Sequence, residues 1–489
     1  MRVQSCRPCR RSFLLSDLGA FGYHSFVKHP VLLALAFLLS GGICSAAERT
    51  MRLDFFHTGN AAQELFSVDR ISIEPLPWPG SPKSMIDETN LGKYLFEVRD
   101  RASNRLLFSQ GFSSIYGEWE TTGEAKQANR TFHESLRFPA PAQPAQIILK
   151  KRDAMNLFRE VWTTLVDPED IYIDRSTHAA PAPLIEIQKS GDPAAKVDFL
   201  ILGDGYTAEE SGKFEKDARR LVERLFESEP FKSRRKDFNV WAICPPAREI
   251  GVSRPSAGIH RDSPLGTAYD IFGSERYLLT YDNRAFREIA QHSPYEFVEI
   301  ITNTRTYGGG GVFNLYGTVA ADSAQAPYVF VHEFGHHFAD LADEYYISPV
   351  AYTTPTITVE PWEPNVTALL KGKGPKWEVS PGIDLPSPWN KEEYERFARE
   401  YQKKREQLRA ENRPETEMEA LFAELKRLEN EHFAREKLKG KVGAFEGAMY
   451  QGKGYYRPEL DCIMFTRSPE FCVVCRAAIS RIIDRYARP

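Results

Sequence analysis

The segment His332-Glu333-Phe334-Gly335-His336 limits the fold of this chain more than any other stretch. Two histidines four residues apart share one face of an α-helix, about 6 Å apart along its axis. On a helix this spacing suits two imidazoles converging on one zinc ion. The apolar run Tyr328-Val329-Phe330-Val331 leads into the segment, as a buried helix requires. Glu333 then lies beside the ion without having to ligate it. It can accept a proton from ion-activated water and return it to a leaving amine. The pattern His-Glu-x-x-His is the motif of zinc peptidases.

Such a site needs a third protein ligand, with water in the fourth position. His337 points about 100° away from the shared face and drops out. Asp340 follows His336 by four residues and stays on the helix face. Asp343 can reach back if the helix breaks after Ala339, and is the first choice. Glu344 is the second, and Glu446 in Phe445-Glu446-Gly447-Ala448 a distant third. Other stretches fit around this centre. Tyr307-Gly308-Gly309-Gly310-Gly311 lets backbone approach a ligand closely, as an extended peptide needs; a flexible turn is the alternative. It lacks the Lys-Ser/Thr ending of a phosphate loop. In Tyr455-Tyr456-Arg457-Pro458, Tyr456 is the candidate to hydrogen-bond the oxyanion of a tetrahedral intermediate, with core packing as the plainer fate. Met464 is a candidate to floor the metal site; taken alone it is a core methionine.

The 489 residues suggest two or three domains. Arg10, Arg11, Lys28 and His29 precede the apolar run Val31 to Leu39, and small residues through Ser45-Ala46-Ala47 follow. That order is a secretory signal peptide over 1–47, which predicts a secreted, periplasmic or cell-surface protein. No stretch of about 18 apolar residues exists, so no stable membrane insertion is expected after signal cleavage. Lys plus Arg number 63 against 67 Asp plus Glu, a net charge of -4, which excludes a strongly basic nucleic-acid binder. Beyond the leader, Cys244, Cys462, Cys472 and Cys475 remain. Cys472-Val-Val-Cys475 is compatible with half a zinc site or a redox pair. In an oxidising setting a structural disulfide, from Cys462 to one of that pair, is preferred. Asn129 and Asn365 head glycosylation sequons.

Residues 48–175 read as an all-β accessory domain, a sandwich of antiparallel sheets. Short apolar runs such as Tyr94-Leu95-Phe96-Glu97-Val98 alternate there with Pro, Gly and Asp. His133-Glu134 has no second ligand at helical spacing and reads as structural. An Ala- and Pro-rich linker follows. Residues 184–489 read as an α/β domain with a largely parallel sheet: strand Val197 to Leu202, a helix capped by Thr207 and Glu210, then strand Phe238 to Ile243. Residues 391–442, dense in Glu, Lys and Arg, predict a charged helical-hairpin insertion. It is either a solvated element packed on itself or a partner-binding arm.

The helix segment, with Leu341-Ala342-Asp343-Glu344-Tyr345 after it, resembles the IgA peptidase family of secreted bacterial zinc metallopeptidases. Gly203-Asp204-Gly205-Tyr206-Thr207, Tyr307-Gly308-Gly309, Phe445-Glu446-Gly447-Ala448 with Tyr450, Tyr456-Arg457-Pro458 and Cys462-Ile463-Met464 carry the likeness further. The amino-terminal part resembles that family's accessory domain through Gly117-Glu118-Trp119 and Phe132 to Pro139. The resemblance implies a metzincin-like catalytic domain, with zinc on His332, His336 and Asp343, the base at Glu333 and a methionine turn at Met464. Two features depart from the pattern. The acidic ligand falls one residue after the usual third metzincin position, here Ala342, and the 391–442 stretch is long for the family. The family name comes from an immunoglobulin-cleaving member and says nothing of this chain's substrate.

The expectation is a secreted zinc-dependent endopeptidase with one catalytic Zn2+. It hydrolyses a polypeptide substrate by Glu333-assisted attack of zinc-bound water. One alternative is a surface or carbohydrate-binding protein with a structural or vestigial metal site. A zinc amidase acting on cell-wall peptides shares the chemistry and differs in substrate. Oligomeric state stays open.

Overall fold

The computed structural model describes residues 49–348 and 357–487. The expected leader over 1–47 lies outside the described residues. Strand β1 (Arg49–Gly59) pairs antiparallel with β2 (Glu64–Pro77) on one side and with β5 (Arg130–Pro139) on the other. A second antiparallel sheet runs β4-β3-β6-β7, from β3 (Tyr94–Asp100), β4 (Leu106–Phe112), β6 (Ala145–Arg152) and β7 (Phe158–Val166). Alternate residues of a strand face opposite ways. Met51, Leu53 and Phe55 of β1 therefore meet Tyr94, Phe96 and Val98 of β3 in one apolar core shared by both sheets. A short helix, α1 (Ile115–Trp119), leads from β4 towards β5.

The remainder is built on a six-stranded mixed sheet in the order β12-β13-β11-β9-β10-β8. Its members are β8 (Ile185–Gln188), β9 (Val197–Asp204), β10 (Phe238–Ile243), β11 (Phe297–Thr302), β12 (Gly309–Val312) and β13 (Tyr316–Ala320). The middle four are parallel, and an antiparallel strand closes each edge. The four-strand parallel run is buried on both faces, which explains its near-continuous apolar sequence. Phe199 and Ile201 face α2 (Ser211–Glu227) and α4 (Ala326–Ala339). Leu200 and Leu202 face α3 (Asn283–Ala290) on the other side. Thr207 and Glu210 form the expected capping box, around a single turn that runs into α2.

Two long helices follow, α5 (Lys391–Ala410) and α6 (Glu415–Ala434), joined by a four-residue turn and packed on each other. They stop short of the expected limit at 442. Tyr394, Ala398 and Phe433 tie them into the main core. A β14 (Phe445–Ala448) and β15 (Gln451–Arg457) hairpin and the final helix α7 (Val473–Tyr486) complete the chain. None of the described helices is long and apolar enough to cross a membrane.

Two expectations change here. Cys244, Cys462, Cys472 and Cys475 are all free, and Cys462 Sγ stands 3.8 Å from Cys475 Sγ rather than the ~2.05 Å of a disulfide. Asn365 is fully buried, so its sequon is closed to a glycan; Asn129 lies on the surface.

Candidate metal centre

Helix α4 starts with Pro327 in its first turn and buries Val329, Phe330, Val331, Phe334 and Phe338. It ends where the motif needs it to end. Asp340 takes left-handed angles (φ 50, ψ 38), and its backbone N–H caps the carbonyls of Gly335 and His336. Its carboxylate accepts from the Gly92 N–H at 2.6 Å, so the amino-terminal β-region holds the break in place. The chain then turns back beneath the helix. Asn365 clamps both backbone groups of Ala342, Met464 O accepts from Glu344 N at 2.8 Å, and Asp343 O accepts from Met449 N at 2.9 Å.

This return brings Asp343 to the two histidines. His332 Nε2 and His336 Nε2 are 3.2 Å apart, and Asp343 Oδ1 lies 3.1 and 3.2 Å from them. Ligands about 2.0–2.1 Å from a tetrahedral zinc are separated by about 3.3 Å, so the triangle has the size of one face of such a shell. The imidazoles are set for the task. His332 Nδ1 faces the Ile463 carbonyl at 2.9 Å, and His336 Nδ1 faces the Leu341 carbonyl. A carbonyl only accepts, so each Nδ1 carries the hydrogen and each Nε2 offers its lone pair to the triangle. Tyr450 donates its hydroxyl to Asp343 Oδ2.

The electrostatics favour positive charge at this point. Burial works against a charged His336, but the Asp343 carboxylate outweighs it and lifts the imidazole to about 9. Burial likewise works against the Asp343 anion, yet His336 and His332 hold it well below the usual carboxylate range. Such a pull is met by a proton or by a dication. Burial pushes the Glu333 carboxyl up, against the pull of the two histidines. Glu333, His332, His336 and Asp343 line a cavity of about 300 Å³, together with Arg276, Tyr345, Tyr450, Tyr455 and the glycines of β12.

Gly309 and Gly311 of β12 are required by close packing on α4. A Cβ on Gly311 would fall 2.4 Å from the Glu333 carbonyl and 2.9 Å from His336 Cβ. The strand thus runs along the edge of the sheet directly beside the centre.

The alternative third ligands, Glu344 and Glu446, lie elsewhere. Glu344 is fully buried and turns away towards Asn365 and Cys475. Glu446 pairs with Lys391 at 2.8 Å. His337 accepts from Val298 N on Nε2 and therefore donates from Nδ1 to Val312 O; burial pulls its pKa down to about 3, and it stays neutral. Met464 lies under α4, its sulfur 3.0 Å from where a Gly335 Cβ would stand. His133 pairs with Asp69 and Asn283, the structural role expected of it.

Tyr456 is not among the residues lining the cavity. Its strand neighbour Tyr455 is, and the alternation of β15 sends Tyr456 to the opposite face, in register with Glu446. Tyr345 flanks the centre, its ring stacked 6.2 Å from that of His332, as do Tyr328, with its hydroxyl 3.3 Å from His332 Nδ1, and Tyr450 on Asp343. Arg276 Nη2 donates to the Tyr345 hydroxyl oxygen. Only its place two residues past Asp343 pointed to Tyr345 in the sequence, and nothing there pointed to Arg276.

Residues 185–483 match the family described as IgA Peptidase M64, and residues 45–163 match the one described as Peptidase M64 N-terminus. No curated protein matches the chain.

Proposed function

The chain belongs to the IgA peptidase M64 family, and from that membership we propose that it is a secreted, zinc-dependent endopeptidase. The family makes it a metallopeptidase, and a peptidase implies a polypeptide substrate. The observation that carries the finer reading is the triangle of His332 Nε2, His336 Nε2 and Asp343 Oδ1, with edges of 3.1–3.2 Å, beside the carboxyl of Glu333. Two imidazoles and one carboxylate suit zinc and leave a fourth position for substrate or water. Zinc held there supplies a Lewis acid that polarises the scissile carbonyl and acidifies a water.

The chain's own residues do the rest. Glu333 takes the proton of the attacking water and hands it to the leaving amine, a role suited to a carboxyl lifted by burial. Because Arg276 fills an acceptor position on the Tyr345 oxygen, the Tyr345 proton is free to point at the developing oxyanion. The edge strand β12 offers backbone to an extended substrate, and its glycines leave room for close approach. Met464 beneath α4 supports a metzincin-like centre whose acidic ligand comes one residue late. Helices α5 and α6 are read as an insertion that walls the site, since Tyr401, Arg405 and Phe422 share a second hollow with His332 and Glu333.

The test compares wild-type protein with Glu333→Ala on a proteome-derived peptide library, new termini being read by mass spectrometry. The variant is expected to keep its zinc and lose about 10²–10⁴-fold in cleavage rate. Cleavage by Glu333→Ala at the wild-type rate refutes the mechanism. Sequencing the amino terminus of exported protein tests the leader over 1–47.

A further inference from the structure

Behind the metal centre, four chemically coherent side chains meet. Cys462 comes from the turn before α7, Cys472 caps the amino end of α7, Cys475 lies in its first turn, and Glu344 follows Asp343. Each is at most 4 % exposed. One donor atom from each lies within 4.8 Å of all the others. We propose that Cys462, Cys472, Cys475 and Glu344 form a second, structural zinc site, closed to substrate.

The distances fit an ion better than a disulfide. Sulfurs about 2.3 Å from a tetrahedral zinc stand about 3.8 Å apart. Cys462 Sγ and Cys475 Sγ are 3.8 Å apart, and Cys475 Sγ is 3.3 Å from Glu344 Oε1. Two backbone donors face the sulfurs. Cys472 N–H points at Cys462 Sγ at 3.2 Å, and Cys475 N–H at Cys472 Sγ at 3.4 Å. The amino end of the fourteen-residue helix α7 adds its positive pole. Glu344 gives the independent sign. It is wholly buried, Oε1 accepts from Asn365, and Oε2 has no hydrogen-bond partner. A buried carboxylate oxygen with nothing to satisfy it costs free energy that a cation removes. The guanidinium of the fully buried Arg457 acts on Glu344 and offsets part of the negative charge of three thiolates and a carboxylate. Four protein ligands leave no open position, which makes the site structural. Cys472-x-x-Cys475 supplies the half-site spacing. This assignment does not depend on what the His332 centre catalyses.

The test uses the full chain carrying His332→Ala and His336→Ala together, which leaves the four proposed ligands untouched. Elemental analysis is expected to give about one zinc per chain for this variant and about two for wild type, after gel filtration in zinc-free buffer. X-ray absorption of the variant should show mainly sulfur neighbours at about 2.3 Å. Cys475→Ser should lose that sulfur signal, but it can also misfold, so the histidine variant decides. A histidine variant with no zinc overturns the proposal, whether its cysteines are found as free thiols or as a disulfide. A shell of only nitrogen and oxygen around its zinc overturns it as well. Wild type gives a second reading: one zinc per chain without sulfur neighbours has the same consequence.

Discussion

Asp343 and Tyr345 show what a single side chain decides in this site. Asp343 completes the triangle with Oδ1 and is oriented through Oδ2 by the Tyr450 hydroxyl. Tyr345 lies flat along His332 and receives a hydrogen bond from Arg276. If Tyr345 donates to the oxyanion, Tyr345→Phe should lower kcat by about 10²-fold with KM nearly unchanged. Tyr456→Phe should leave both constants as they are, because that ring faces away from the cavity. Equal losses in both variants, measured by steady-state kinetics on one peptide, would reinstate Tyr456. The two histidines and Glu333 were legible because helical spacing is a local property. Asp343 was legible as soon as the helix had to stop at Ala339. Tyr456 stands one position from Tyr455, which lines the cavity, and on a strand one position inverts the face. Tyr345 and Tyr450 owe their roles to Arg276 and Asp343, which are 69 and 107 residues distant in the chain. No local pattern reports such pairings.

At the scale of elements, the centre is a helix pressed against an edge strand. Helix α4 and strand β12 approach so closely at Gly311 that any side chain meets backbone. Gly311→Ala must push β12 off α4 and shift His336. A displacement of about 1 Å costs on the order of 10²-fold, so kcat/KM should fall by that much. Gly212→Ala in α2, where nothing lies within 4 Å, should leave activity unchanged. Equal effects of the two substitutions would show that the close approach is not what matters. The four glycines announced close contact, but whether with substrate or with the protein's own helix could not be read from them. Gly309 and Gly311 serve the helix, while Gly308 and Gly310 pack against Tyr269 and Leu279. The two helices α5 and α6 were expected from the sequence, and Tyr394, Tyr401, Met418 and Phe422 are their buried side. Their position beside the site was not legible, because it rests on pairs such as Arg305 with Glu419 and Tyr307 with Phe422.

The whole molecule carries more cohesion than its sequence suggests. The change of pattern near the Ala- and Pro-rich stretch reads as a seam between independent parts. Yet the described residues belong to one compact unit, Ala47–Pro489. Arg52, buried in β1, reaches Glu288 in α3 at 2.6 Å. Arg137 in β5 lies 3.7 Å from the ring centre of Tyr295. Gly92 holds Asp340 at the end of the metal helix. Arg52 and Arg137 also pair with Glu74 in β2, so each links its own sheet to the other half. Calorimetry of residues 48–489 should therefore record one cooperative unfolding transition. Two well-separated transitions would mean that these contacts hold the halves together only loosely. A further consequence follows from the adjacency of Asp343 and Glu344, whose carboxylates leave the same short segment on opposite sides, one towards the histidines and one towards the cysteines. If both proposed ions bind, they share that segment and are coupled: whatever one gains from the other's presence, the other gains by the same factor. Oxidising three thiols that no substrate ever meets would then loosen the grip of the histidines, and turnover would record the chemical history of the protein's interior.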